Sequence, residues 1–119
     1  MIYKSKLEKL KCKTQIDLVF KKGRAVRSGA LVMHFVRPKE EVKNPYIGVG
    51  ISKKSVLQAY RRNRIKRQIR AIIQKQKEKV IRSLSPGFYM VLYKGRLDVA
   101  SESLLRDFES LLNHFTDYN

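Results

Sequence analysis

Residues 61–70 read Arg-Arg-Asn-Arg-Ile-Lys-Arg-Gln-Ile-Arg, and the isoleucines in and after this run constrain how it folds. Ile65, Ile69, Ile72, Ile73 and Val80 recur at helical spacing and define one apolar stripe. At roughly 100° per residue, Asn63, Arg67, Arg70 and Gln74 fall on about the opposite side. The stripe can therefore be buried while the cations face outward. Six of the ten positions are Arg or Lys, and Glu78 is the only acid between Lys53 and Arg82. A solvated helix face usually mixes both signs. A ridge of one sign on a rigid helix calls for a polyanion.

The same imbalance runs through the chain, with 27 Lys and Arg against 10 Asp and Glu and a net charge of +17 on 119 residues. It is concentrated in two segments: residues 1–27 have net charge +7 and residues 53–82 have +11, whereas 28–52 have +1 and 83–119 have −2. Such a distribution points to nucleic acid as partner, with an anionic membrane surface as the weaker alternative. The length suits a single domain over 1–119 with a modest core. An apolar fraction of 43% is too high for a disordered basic tail. The single Cys12 excludes an internal disulfide and a four-cysteine zinc site, and is expected as a free thiol in a reducing cytoplasm. The start lacks the apolar segment of a signal peptide, and no stretch is suited to spanning a bilayer.

Residues 1–13 are expected to form a loosely ordered basic arm. Thr14 can cap a short helix, with Asp17 completing a variant capping box and Gly23 as its stop. Residues 24–27 and 31–37 are expected strands, the second ended by Pro38. Residues 46–52 alternate more clearly: Ile47, Val49 and Ile51 point one way, and Tyr46, Gly48, Gly50 and Ser52 the other. Two glycines on one face leave a shallow floor for another backbone. Ser55 is a candidate cap for the long helix, expected to run to about Leu84, where Ser85-Pro86-Gly87 breaks it. A strand over 88–93 and a helix from Ser101, with Leu104, Phe108, Leu111 and Phe115 as its stripe, complete the order. The expected fold class is α+β: an α-β-β-β-α-β-α sandwich with helices on a mostly antiparallel sheet.

This order resembles the protein subunit of bacterial ribonuclease P when taken with two segments. They are Gly48-Val49-Gly50-Ile51-Ser52-Lys53-Lys54, and Arg62-Asn63-Arg64-Ile65-Lys66-Arg67-Gln68-Ile69-Arg70. Upstream, Lys9-Leu10 with Ile16, Val19-Phe20 and Gly23 is similar to the family's first helix, so the resemblance covers about residues 9–115. Lys9 stands where Arg is usual, Ile16 where Phe is frequent, and His34 where Tyr is frequent. The connector before the long helix lacks the common Gly-Asn and is a residue longer. The resemblance implies a fold similar to the second domain of a small-subunit ribosomal protein. It also implies a left-handed βαβ crossover from strand 46–52 to strand 88–93, a handedness against the usual rule.

The resemblance further implies an RNA-binding component of an endoribonuclease in tRNA 5′ maturation. The catalytic RNA subunit would hold the magnesium ions and cleave the 5′ leader from precursor tRNA, with one protein per RNA. Lys53, Lys54, Arg61, Arg62, Asn63, Arg64, Lys66, Arg67 and Arg70 would contact that RNA. A cleft with Lys9, Ile16, Phe20, His34, Gly48 and Gly50 would hold the single-stranded leader. The residues themselves offer little for protein-based catalysis. The histidines are His34 and His114, and Glu102 and Glu109 read as solvated acids, with Asp107 able to pair with a cation. No Gly-rich phosphate loop occurs. No catalytic residue is expected in this chain, and its own metal sites stay open. Taken alone, Phe20 beside Ile16 and Val19 reads as core, and His34 as a packed strand residue. A ribosomal or other structural RNA-binding protein is the alternative function. A membrane-surface role would require the apolar face of the basic helix to be free.

Overall fold

The computed structural model describes residues 7–38, 42–51, 56, 58–95 and 101–118. The elements in chain order are β1 (Glu8–Lys9), α1 (Lys13–Lys22), β2 (Arg24–Ser28), β3 (Leu31–Val36), β4 (Pro45–Ile51), α2 (Ala59–Lys75), α3 (Lys77–Ser83), β5 (Gly87–Tyr93) and α4 (Ser101–Tyr118). The strands form one sheet in the order β1-β4-β5-β3-β2. β4 and β5 pair in parallel through α2 and α3, and β1 adds in parallel to the outer edge of β4. β5–β3 and β3–β2 are antiparallel. The α+β class therefore stands, but the expected predominance of antiparallel pairing does not: half of the pairings are parallel. The extra one comes from β1, which lies in the segment expected to be a loose arm.

Strand alternation divides the core in two. On one face, Met33, Ile47, Tyr89, Val91 and Tyr93 pack with Ile65, Ile69, Ile73 and Val80 of the long helical segment and with α4. Leu104, Phe108, Leu111 and Leu112 of α4 are fully enclosed, and removing side chains of this size from water contributes about 1.5–3 kcal/mol each. On the other face, Val19 of α1 packs with Leu10, Phe88 and Met90. Helices thus cover both faces.

Several local features differ from expectation. The N-cap of α1 is Cys12, without a side-chain capping bond, and Thr14 lies inside the helix. The long helix is interrupted at Gln76, although Gln76 N–H still reaches Ile72 O at 3.0 Å and Val80 N–H reaches Gln76 O at 2.9 Å. The N-cap of α2 is Gln58, again without a side-chain cap, and the expected cap Ser55 lies outside the described residues. Gly23 is the C-cap of α1, and the space there admits no side chain. A Cβ there would collide with the carbonyl oxygen of Val19 and lie 2.5 Å from that of Phe35. At the β2–β3 turn, Gly29 has φ +58, the left-handed region open to glycine. The next N–H, of Ala30, donates to Asp107 Oδ2 of α4 at 3.1 Å. Asp107 thus ties the hairpin to α4, where the sequence suggested pairing with a cation.

Candidate nucleic-acid interface

The isoleucine stripe orients α2. Ile65 and Ile69 retain 1% exposure each, and this turns Arg61, Asn63, Arg64, Arg67 and Arg70 outward, all exposed. Arg62 and Lys66 are half-buried at the flanks. The helix has seven Lys or Arg and no acid, so its exposed side presents one sign of charge. Arg62 also has a structural role, because its Nη1 donates to the carbonyl of buried Val56 at 2.8 Å and ties the connector to the helix. Arg61 lies 5.9 Å from the ring centre of Tyr60, and its Nε donates to the Tyr60 hydroxyl at 3.4 Å. Tyr60 itself is 64% exposed, a flat surface among cations that no sequence pattern singles out. Lys53 and Lys54, expected to extend the ridge, lie outside the described residues.

A groove of about 700 Å³ runs between the β1 edge and α2, with Lys9, Lys11, Arg67, Arg70 and Gln74 along it and Ile47 and Val49 at its base. Lys9 is in register with Ile47, whose side chain belongs to the α2 side of the sheet. The sequence placed Lys9 in the leader cleft beside α1. The structure groups it with Arg67 and Arg70 instead. The physical reason is the parallel pairing of a two-residue strand, for which nothing in the local sequence is a signal.

On the opposite face, α1 brings Phe20 to His34 of β3, with ring centres 4.9 Å apart in an edge-to-face arrangement. Phe20 is 42% exposed, while its neighbour Val19 is fully buried. The core role that Phe20 has on local sequence grounds is thus filled by Val19. Ile16 is half-buried and packs against the smaller core cluster. Burial, and secondarily the charge of Lys94, hold the His34 imidazole below its usual pKa of 6.5, which favours the neutral ring near pH 7. Across the sheet, His34 is level with Met90 and Gly48. The space above Gly48 is used by the chain itself: a Cβ there would lie 2.6 Å from Met90 Sδ and 3.1 Å from Leu10 O. The backbone that approaches this glycine is therefore that of Leu10, whose N–H bonds Ile47 O at 3.0 Å. At Gly50 the nearest atom to such a Cβ is Leu92 Cδ2 at 3.0 Å. The expected glycine floor is accordingly narrower than the sequence suggested.

Other polar groups are dispersed. Among the described residues, no three of His, Cys, Asp and Glu gather in a way suited to a metal ion. Glu109 lies 3.7 Å from Lys79 in a surface ion pair, and such pairs contribute ~0–1 kcal/mol. Cys12 is free and exposed, and the backbone N–H groups of Gln15 and Thr14 lower its thiol pKa. No helix among the described residues is long and apolar enough to cross a membrane.

Comparison with known proteins adds to this geometry. The model of the Ribonuclease P family matches residues 5–116. The ribonuclease P protein component of Rippkaea orientalis is 30% identical over 112 residues, covering 90% of this chain and 85% of the relative. That of Lactobacillus delbrueckii subsp. bulgaricus is 31% identical over 72 residues, covering 60% of this chain and 59% of the relative's length. Among solved structures, the Staphylococcus aureus RNase P protein superposes with a TM-score of 0.73 at 23% identity, covering 93% of this chain and 97% of that one. The Thermotoga maritima RNase P protein gives 0.72 at 21% identity, covering 90% and 96%. The two structures share the fold, and the family match spans nearly the whole sequence: the chain belongs to the Ribonuclease P family.

Proposed function

We propose that this chain is the RNA-binding protein component of ribonuclease P and assists the catalytic RNA in removing the 5′ leader from precursor tRNA in a reducing cytoplasm. The observation that carries this reading is the one-signed exposed side of α2 in a member of this family. Arg61, Arg64, Arg67 and Arg70 neutralise phosphates of the RNA subunit, releasing condensed counterions as they do so. Lys9 and Lys11 add to that contact across the β1–α2 groove. The ring of Phe20 and the neutral imidazole of His34 offer stacking surfaces to unpaired leader bases, a contact that tolerates many sequences. Magnesium, held chiefly by the RNA subunit, would supply activated water for attack on the phosphodiester. This chain's part is to lower phosphate repulsion and to hold the leader.

The test is binding of the purified chain to a bacterial ribonuclease P RNA and to an unrelated structured RNA of the same length, across a salt series. Tighter binding to the ribonuclease P RNA at every salt concentration is expected. Equal binding to both would favour the alternative of a general structural RNA-binding protein.

A further inference from the structure

A second basic pocket lies away from both the α2 ridge and the Phe20–His34 cleft. It encloses about 500 Å³ where the end of α1, the start of β2 and the end of β3 meet the Ser85–Pro86 turn. Lys22, Arg24 and Arg37 line it, all exposed. None of the three is within salt-bridge distance of a carboxylate among the described residues. Its base is aromatic: Phe35 and Tyr89 lie nearly parallel with centres 6.2 Å apart, and Phe115 meets both edge-on at 4.7 and 5.7 Å. Phe35 is the half-buried ring of the three and so the one open to a ligand. The Tyr89 hydroxyl donates to Ser85 O at 2.6 Å, fixing the turn against the ring cluster. Burial pushes the Tyr89 pKa up to about 12, with the Arg37 charge acting in the opposite direction, so the phenol keeps its proton in that bond well above neutral pH.

Three cations around an open aromatic ring select a ligand with both an anionic group and a flat π face. An inorganic anion would use only the rim, and an acidic peptide would cover Phe35 only where an aromatic side chain flanks the acid. A nucleotide satisfies both. We propose that this pocket is a second nucleotide subsite, taking one base against Phe35 and its phosphate among Lys22, Arg24 and Arg37. Its occupant is a nucleotide of the single-stranded leader where the strand passes beyond the cleft. The two sites share elements but not a sheet face: Phe20 and Lys22 lie in the last turn of α1, and His34 faces α1, whereas Phe35 faces α4, so the leader strand passes around the end of β3 to reach the pocket. At a rise of ~3.3 Å per residue, Arg37 lies roughly 10 Å along the chain from His34. Assignment to the leader rests on the function proposed above; the nucleotide subsite itself does not.

The test has two arms. In the first, the RNA-free chain is titrated with adenosine 5′-monophosphate and followed by amide chemical shifts. Saturable shifts at Arg24, Phe35, Arg37 and Ser85 are expected, with inorganic phosphate binding more weakly. The double variant Arg24→Ala/Arg37→Ala should lower the affinity about tenfold or more for the pair of lost charged contacts. Shifts elsewhere only, or an unchanged affinity in the variant, would overturn the subsite. Circular dichroism checks folding, and Lys22→Ala alone provides a second variant should the double one unfold. In the second arm, holoenzyme containing the double variant is measured against precursor and mature tRNA. Loss confined to precursor tRNA supports the leader as occupant. Equal loss for both overturns that assignment even where the mononucleotide binds.

Discussion

Replacing Phe20 by Ala separates a leader contact from a packing contact. Phe20 retains 42% of its exposure and meets one ring edge-on, that of His34 at 4.9 Å. A fully enclosed Phe→Ala change costs ~3–5 kcal/mol, so the partial burial of Phe20 scales this to roughly 1.7–2.9 kcal/mol of fold stability. A domain of ordinary stability, about 5–15 kcal/mol, remains folded after such a loss. Base stacking on an aromatic side chain contributes ~1–3 kcal/mol, which corresponds to about 5- to 150-fold in affinity. Equilibrium binding of the holoenzyme to precursor and mature tRNA, beside a thermal melt of the protein, reads both quantities. The expected result is weaker binding of precursor tRNA alone, with a modest fall in melting temperature. Phe20→Tyr, which keeps the ring, should bind nearly as the parent does. Equal loss for the two ligands, accompanied by a large fall in melting temperature, would refute the cleft contact and make Phe20 a core residue.

Replacing Arg64, Arg67 and Arg70 together by Ala should reduce the log–log salt slope for ribonuclease P RNA by roughly 2–3 with native circular dichroism, since each phosphate contact contributes ~0.7–0.9. An unchanged slope would remove these arginines from the interface. Asp107→Ala should destabilise the fold by ~1–2 kcal/mol, because the Ala30 N–H loses a charged acceptor. Urea melts would show this, with Asp107→Asn intermediate between the two. The pH dependence involves His34, whose folded pKa lies below the unfolded 6.5. The unfolded chain therefore binds more protons below that value, and the contribution of His34 to stability is complete above it and is lost as pH falls toward the folded pKa. Melts from pH 7.5 to 5 should show a smaller decline for His34→Phe than for the parent, and identical declines would exclude His34 as the source.

The elements most legible in the sequence are those whose side chains alternate between two distinct environments. Strand 46–52 appears as Pro45–Ile51, and the stripe Leu104, Phe108, Leu111 and Phe115 is buried along α4. The outward cations of α2 follow from Ile65 and Ile69 alone, because burying one side of a helix fixes the other. What the sequence hides is nonlocal. A two-residue strand such as β1 has no periodicity, and its parallel docking on β4 sends Lys9 to the α2 side. The interruption at Gln76 involves neither Gly nor Pro and leaves the flanking backbone hydrogen bonds in place, so no residue type marks it. Gly48 is recognisable in the sequence as a point of close backbone approach, but not that Leu10 of the same chain takes the place. The pocket around Phe35 draws on four separated segments, and its cations appear in sequence only as scattered members of a basic chain.

The most direct test of the proposed function is cleavage of precursor tRNA by a bacterial ribonuclease P RNA at near-physiological magnesium, with and without this chain. The protein should leave precursor tRNA intact by itself and, added to the RNA, lower the magnesium concentration needed to release the 5′ leader. Cleavage by RNA-free protein, or no effect of the protein on the magnesium requirement, would contradict it.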